Sequence, residues 1–115
     1  MEPTAQQHEN LRRLRSIPLA IVCGREREAR QISDSLRLSS RDFLRGDDVA
    51  EVYNGHIFRL GKMRLKSGDQ LSFYITSNPN QGLQSFGTRI AILFSILRPV
   101  YAIHAGVCAG LAGIP

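Results

Sequence analysis

Gly24-Arg25-Glu26-Arg27-Glu28 sets two carboxylates and two guanidinium groups directly behind a glycine. Two further loops have comparable chemistry: Asn78-Pro79-Asn80-Gln81-Gly82 and Gly106-Val107-Cys108-Ala109-Gly110. A glycine loop ahead of a helix turns backbone N–H groups towards an anion or a carboxylate. Each loop also follows an apolar run, and open α/β sheets collect ligands at the carboxyl ends of their strands. Gly106, Gly110 and Gly113 give GxxxGxxG rather than the GxGxxG of a dinucleotide site. Taken singly, each loop has a plainer explanation. Charged RERE suits a solvated helix start, and NPNQG is ordinary turn chemistry. His104, inside an apolar run, reads as a hydrogen-bonded core residue, and Tyr53, Phe58 and Phe73 read as packing. Cys108 reads as a space-filling residue, because no nucleophile–base pair is recognisable near it.

The elements that must carry these loops follow from periodicity. Residues 4–16 form a polar lead-in with Leu11 and Leu14 on one side. PLAIVC (18–23), closed by Gly24, reads as a buried strand. Residues 25–38 have helical spacing, with Ala29, Ile32 and Leu36 on one face and Glu26 placed to pair with Arg30. In AEVYNGHIFRLGKMRL (50–65), Asn54-Gly55 predicts a hairpin between two strand-like runs. KSGDQ (66–70) is a turn, and LSFYITS (71–77) is a further strand. Residues 83–98 predict a long apolar helix with Phe86, Ile90, Leu93, Phe94 and Leu97 at helical spacings, stopped by Pro99. VYAIHAG (100–106) reads as another buried strand. The expected order is β-α-β-β-β-α-β, an α/β fold whose final strand lacks a second neighbour, so the sheet reads as unfinished.

Composition sets bounds. Of 115 residues, 43% are hydrophobic and 22% charged, with no Trp, so the expected core is Leu, Ile, Val and Ala. The net charge of +5 invites a nucleic-acid partner, yet the arginines before residue 46 are interleaved with acids rather than massed. No nucleic-acid partner is expected. Arg98, Pro99 and His104 interrupt the most apolar region, which argues against a membrane span. Cys23 and Cys108 match no zinc spacing, and the polar, charged opening resembles no secretory signal. Reduced thiols and a cytoplasmic setting are the expectation.

In order and spacing, the three loops together resemble the nucleoside phosphorylase/hydrolase superfamily, most closely its 5′-methylthioadenosine/S-adenosylhomocysteine nucleosidases. LAIVCGREREA (19–29) is similar to that family's first strand and turn. SNPNQGLQSFGTRIAILFSILRP (77–99) sits where the family has a glycine loop and its second helix. VYAIHAGVCAGL (100–111) is similar to its signature strand and G-x-x-A-G loop. The resemblance implies a three-layer α/β/α phosphorylase-like fold with a central mixed sheet, over residues 17–115 behind the 1–16 lead-in. It covers roughly residues 17–111, the amino-terminal half of the family's domain, so an incomplete domain is expected.

By position, Glu28 matches the family glutamate that helps activate the attacking water, where the bacterial phosphorylases carry a phosphate-binding arginine. A carboxylate serves as a base towards water and repels phosphate, which favours hydrolysis. Gly24, Gly82, Ala105, Gly106, Val107 and Cys108 match substrate-lining positions. Asn80 stands where the family has a first glycine, and Val107 where a small polar residue is common. The implied function is cleavage of the N-glycosidic bond of a purine nucleoside. No cofactor or metal is implied beyond phosphate as co-substrate if the chain is a phosphorylase, and the complete domain is expected to be a homo-oligomer. In the family, the aspartate that protonates the purine and the Met-Glu pair that holds the ribose come from the other half. The chain by itself is therefore expected to be inactive. The competing expectation is a non-catalytic nucleoside-sensing or interaction module built on the same fold.

Overall fold

Leu19–Cys23 (β1) is apolar and buried at every position, as suits a strand with neighbours on both sides and cover on both faces. The computed structural model describes residues 2–53, 55–77 and 83–105, with backbone alone at 83–89. Around β1 it arranges helix α1 (Ala5–Arg15), helix α2 (Glu26–Ser35), strands β2 (Phe43–Arg45), β3 (Ile57–Arg64) and β4 (Gln70–Ser77), helix α3 (Leu83–Leu97) and strand β5 (Tyr101–Ala105). The sheet runs β2-β3-β4-β1-β5. Strand β1 is parallel to β4 and to β5, while β2, β3 and β4 form an antiparallel meander.

Alternation along the strands splits the core in two. Ala20, Phe58, Leu60 and Tyr74 face α1 and α3, against Leu14, Leu93 and Leu97. Leu19, Ile21, Cys23, Phe73 and Ile75 face the other way, against Ala29 and Ile32 of α2. Helices thus cover both faces of a mixed sheet. Helix α1 starts in a capping box: the Gln7 backbone N–H donates to Thr4 Oγ1 at 3.0 Å, and the Thr4 N–H donates to Gln7 Oε1 at 2.8 Å. Asn10 Nδ2 of α1 donates to the Asp48 carbonyl at 2.9 Å, tying the helix to the connection that follows β2.

The β-α-β-β-β-α-β order holds after α1, with two corrections of placement. The run before Asn54-Gly55 is not a strand, and Asn54 itself lies outside the described residues. Glu51–Tyr53 is a 3-10 turn, and the partner of β3 on that side is β2, paired as Phe43 with Arg59 and Arg45 with Ile57. The 3-10 turn wins because it buries Tyr53 in the core, at 1% exposure. The turn between β3 and β4 is as expected, with Gly68 at φ 93°, a left-handed conformation that glycine adopts without strain. Strand β5 is not buried. Among the described residues it is the sheet edge, and its residues 101–104 are exposed, His104 among them, so the expected core placement of His104 does not hold there.

Candidate functional site

The parallel strands end level: Cys23 of β1 stands beside Ser77 of β4 and Ala105 of β5. Gly24 leaves β1 at that edge, and α2 begins two residues later. Its cap residue, Arg25, makes no side-chain hydrogen bond to the helix, so Glu26 and Glu28 in the first turn are what complement the positive end of the helix dipole.

The glutamates have different surroundings. One oxygen of Glu26 receives Arg59 Nη2, and the other accepts from Ser77 Oγ at 2.7 Å. Glu26 therefore turns into the sheet rather than along the helix to Arg30. Arg59 is 5% exposed, and its guanidinium carbon lies 5.2 Å from the centre of the Phe43 ring. Its Nε and Nη1 have no hydrogen-bond partner among the described residues. The pair joins α2 to β3 and β4 beneath the carboxyl edge. Glu28 is half-buried two residues further on, and a Cβ added to Gly24 would lie 3.7 Å from Glu28 Oε1. The carboxylate therefore overhangs the glycine. A methyl there would fit, but only by touching the carboxylate.

Of the residues singled out from sequence, Gly24, Glu28 and Ala105 come together at this edge. Ala105 is half-buried and packs on the α2-side core. Gly82, Gly106, Val107 and Cys108 lie outside the described residues. Three participants were missed: Arg59, Ser77 and the inward turn of Glu26. Their signal was an arginine in the apolar run HIFRLGKM, where alternation puts Arg59 on the face opposite Phe58 and Leu60.

Cys23 is fully buried, and its thiol is pushed up to about 11, first by burial and then by the fields of Glu28 and Glu26, with Arg59 acting the other way. At neutral pH it is a thiol and no nucleophile. On the α3 side of the sheet, His56 stacks on Phe58 with ring centres 6.1 Å apart, and Tyr53 meets both rings edge-on. His56 Nδ1 lies 3.5 Å from Thr76 Oγ1. A cavity of about 320 Å³ opens there, lined by Val52, Tyr53, His56 and Ile92, away from Glu28.

Among the described residues no group of His, Cys, Asp and Glu is arranged to hold a metal ion, and no helix is long and apolar enough to cross a membrane. Among the described residues, the edge offers one half-buried carboxylate beside a glycine turn, over strand ends made of small residues. No family model, curated protein or solved structure matches this chain.

Proposed function

We propose that the chain binds a purine nucleoside at the carboxyl edge of β1, β4 and β5, as part of a phosphorylase-like α/β/α domain that cleaves the N-glycosidic bond by hydrolysis. The observation that carries this reading is the placement of Glu28 over Gly24, within one turn of chain, beside Ala105, which the sheet brings to the same edge from far along the sequence. In this reading Glu28 takes a proton from the attacking water. Gly24 and Ala105, having little or no side chain, let the ribose and base approach the backbone.

Hydrolysis also needs an acid for the departing purine. Glu26 is not that acid, because Arg59 and Ser77 occupy both of its oxygens and hold it against the sheet. That commitment is the specific observation favouring the second reading, binding without turnover. On either reading the described residues bind and position, and turnover calls for an acid from outside them.

The test is calorimetric titration of the chain with 5′-methylthioadenosine and with adenosine, alongside an assay of adenine release with and without phosphate. Saturable binding with background release is the expected result. Where a polypeptide supplying the acid is present, Glu28→Gln should leave binding nearly unchanged and lower turnover by about 10²–10⁴-fold. No binding of either nucleoside overturns the proposal, and release that strictly requires phosphate overturns the hydrolytic part.

A further inference from the structure

At the amino ends of the parallel strands, a cleft of about 520 Å³ lies between the end of α1 and the sheet. Its helix wall carries Arg13 and Ser16, one turn apart on the same side of α1. Its sheet wall carries Lys62 and Ser72, which stand opposite each other on β3 and β4. The buried Ile17 and Leu60 give the cleft an apolar base, and the exposed Asp42 lines it too. Lys62 follows Leu60 by two residues, so strand alternation puts it on the α1 side of the sheet, the face opposite Arg59. From Ser72 to Ser77, at the carboxyl edge, is about 16 Å of strand.

The polar groups reach the cleft uncommitted. Among the described residues, no ion pair or hydrogen bond engages the side chains of Arg13, Lys62, Asp42 or Ser72. Ser16 Oγ donates to the Arg13 carbonyl at 2.6 Å, which leaves its oxygen able to accept. A ligand entering the cleft therefore breaks no existing bond. Arg13, in the last turn of α1, also complements the negative end of the helix dipole, but Lys62, on a strand, has no such role. Arg13, Lys62 and Ser72 offer donors, two of them cationic, while Asp42 and Ser16 offer acceptors. Two cations match the nearly two negative charges of a phosphomonoester at neutral pH, and a single carboxylate would leave one cation over. The acceptors then call for hydroxyl groups on the same ligand. The volume falls within the roughly 300–1,000 Å³ of small-molecule sites.

We propose that the cleft between α1 and the β3–β4 pair binds a phosphorylated sugar, with its phosphate on Arg13, Lys62 and Ser72 and its hydroxyls on Asp42 and Ser16. The carbon face of the sugar rests on Ile17 and Leu60. The guanidinium of Arg13 meets the phosphate from the helix, and the Lys62 ammonium meets it from the sheet. This site is independent of the nucleoside reading, since it lies at the other end of the strands and on the other face of the sheet from Glu26 and Arg59.

Calorimetric titration of the full chain with ribose 5-phosphate, ribose and inorganic phosphate tests the proposal. Saturable binding of ribose 5-phosphate is expected, with weaker binding of phosphate and none of ribose. Lys62→Ala and Arg13→Ala should each weaken ribose 5-phosphate about tenfold or more, the worth of one charge-assisted contact. Asp42→Asn should weaken ribose 5-phosphate while leaving phosphate bound as tightly or more so. Arg27→Ala removes the same charge from an exposed position on α2 and should change nothing. All four side chains are exposed, so circular dichroism and the urea midpoint should stay those of the parent. No saturable binding of ribose 5-phosphate, Lys62→Ala as tight as the parent, or an equal loss with Arg27→Ala would overturn the site. Phosphate bound as tightly as ribose 5-phosphate would overturn the sugar's part in it. Displacement by 5′-methylthioadenosine would move the ligand to the carboxyl edge and overturn the proposal too.

Discussion

Arg59 is a cation inside a small core, and its energetics depend on which partner is removed. A buried charge stripped of its counter-ion costs about 3–5 kcal/mol, whereas replacing the cation itself by an apolar residue of similar length is often cheap. Glu26 is 35% exposed at its side chain and regains water if left alone; Arg59, at 6%, does not. Glu26→Gln should therefore destabilise the chain more than Arg59→Met, and the double variant should resemble Arg59→Met. Urea unfolding reads all of these, and the reverse ranking would mean that Arg59 is satisfied by something other than Glu26. The hydroxyl of Tyr74 is buried with no partner among the described residues. Tyr74→Phe removes an unmet hydrogen-bonding group worth roughly 1–3 kcal/mol and should leave stability equal or higher, unlike most core substitutions.

At the scale of elements, the connection from β2 to β3 is where the sequence was hardest to read. Asn54-Gly55 is a strong local hairpin signal, but β2 has only three residues, too few to show an alternating pattern, and the competing apolar residues at 52–53 drew the pairing to the wrong stretch. The true organiser is Gly46. Its carbonyl accepts the N–H groups of Val49 and Ala50, its N–H donates to the His56 carbonyl at 2.8 Å, and Tyr53 closes on it. A Cβ at Gly46 would sit 1.8 Å from the Tyr53 carbonyl oxygen, a backbone atom that cannot move aside without opening the turn. Gly46→Ala should cost several kcal/mol or prevent folding. At Gly61 the obstacles are the ends of Leu38 and Phe73 side chains, at 2.6 and 2.7 Å, which can rotate away. Gly61→Ala should cost clearly less in the same urea experiment, and equal losses would count against this account of the connection. By contrast β1, α2, β4 and α3 were legible, since each has a periodic or continuous apolar pattern and a glycine or proline at one of its two ends. The burial of β5 was not, because an apolar run states a preference for cover without revealing whether a neighbour exists. The same limit applies at the edge site: Gly24 and Glu28 were legible as a turn, but only the fold brings Arg59 and Ser77 beneath them.

Across the whole molecule, three buried acids share one direction of pH dependence. Burial, reinforced by Glu28 and Glu26, lifts the Cys23 thiol from 9.0 to about 11. Burial lifts the Tyr53 phenol from 10.0 to about 12, against a smaller opposing field from Arg15, and raises Tyr74 in the same direction. All three are neutral acids whose folded-state values lie above their unfolded ones. Their contribution is fully present below the unfolded values and is lost as pH climbs through the folded ones, because the unfolded chain releases its protons first. Each group, while its two states differ, subtracts about 1.4 kcal/mol per pH unit. By pH 11 the combined loss is on the order of a few kcal/mol, a large share of what a domain of this size possesses. Relief of positive self-repulsion as the chain nears its isoelectric point of about 9.9 works the other way, so single-site variants are needed to isolate the buried acids. The urea midpoint of the parent should fall steadily from pH 8.5 to 11. Cys23→Ala should flatten the first part of that fall, between pH 9 and 10, and Tyr74→Phe the later part. A parent curve flat over the whole range, or variants falling as steeply as the parent, would mean that these three groups meet solvent or a base in the folded state.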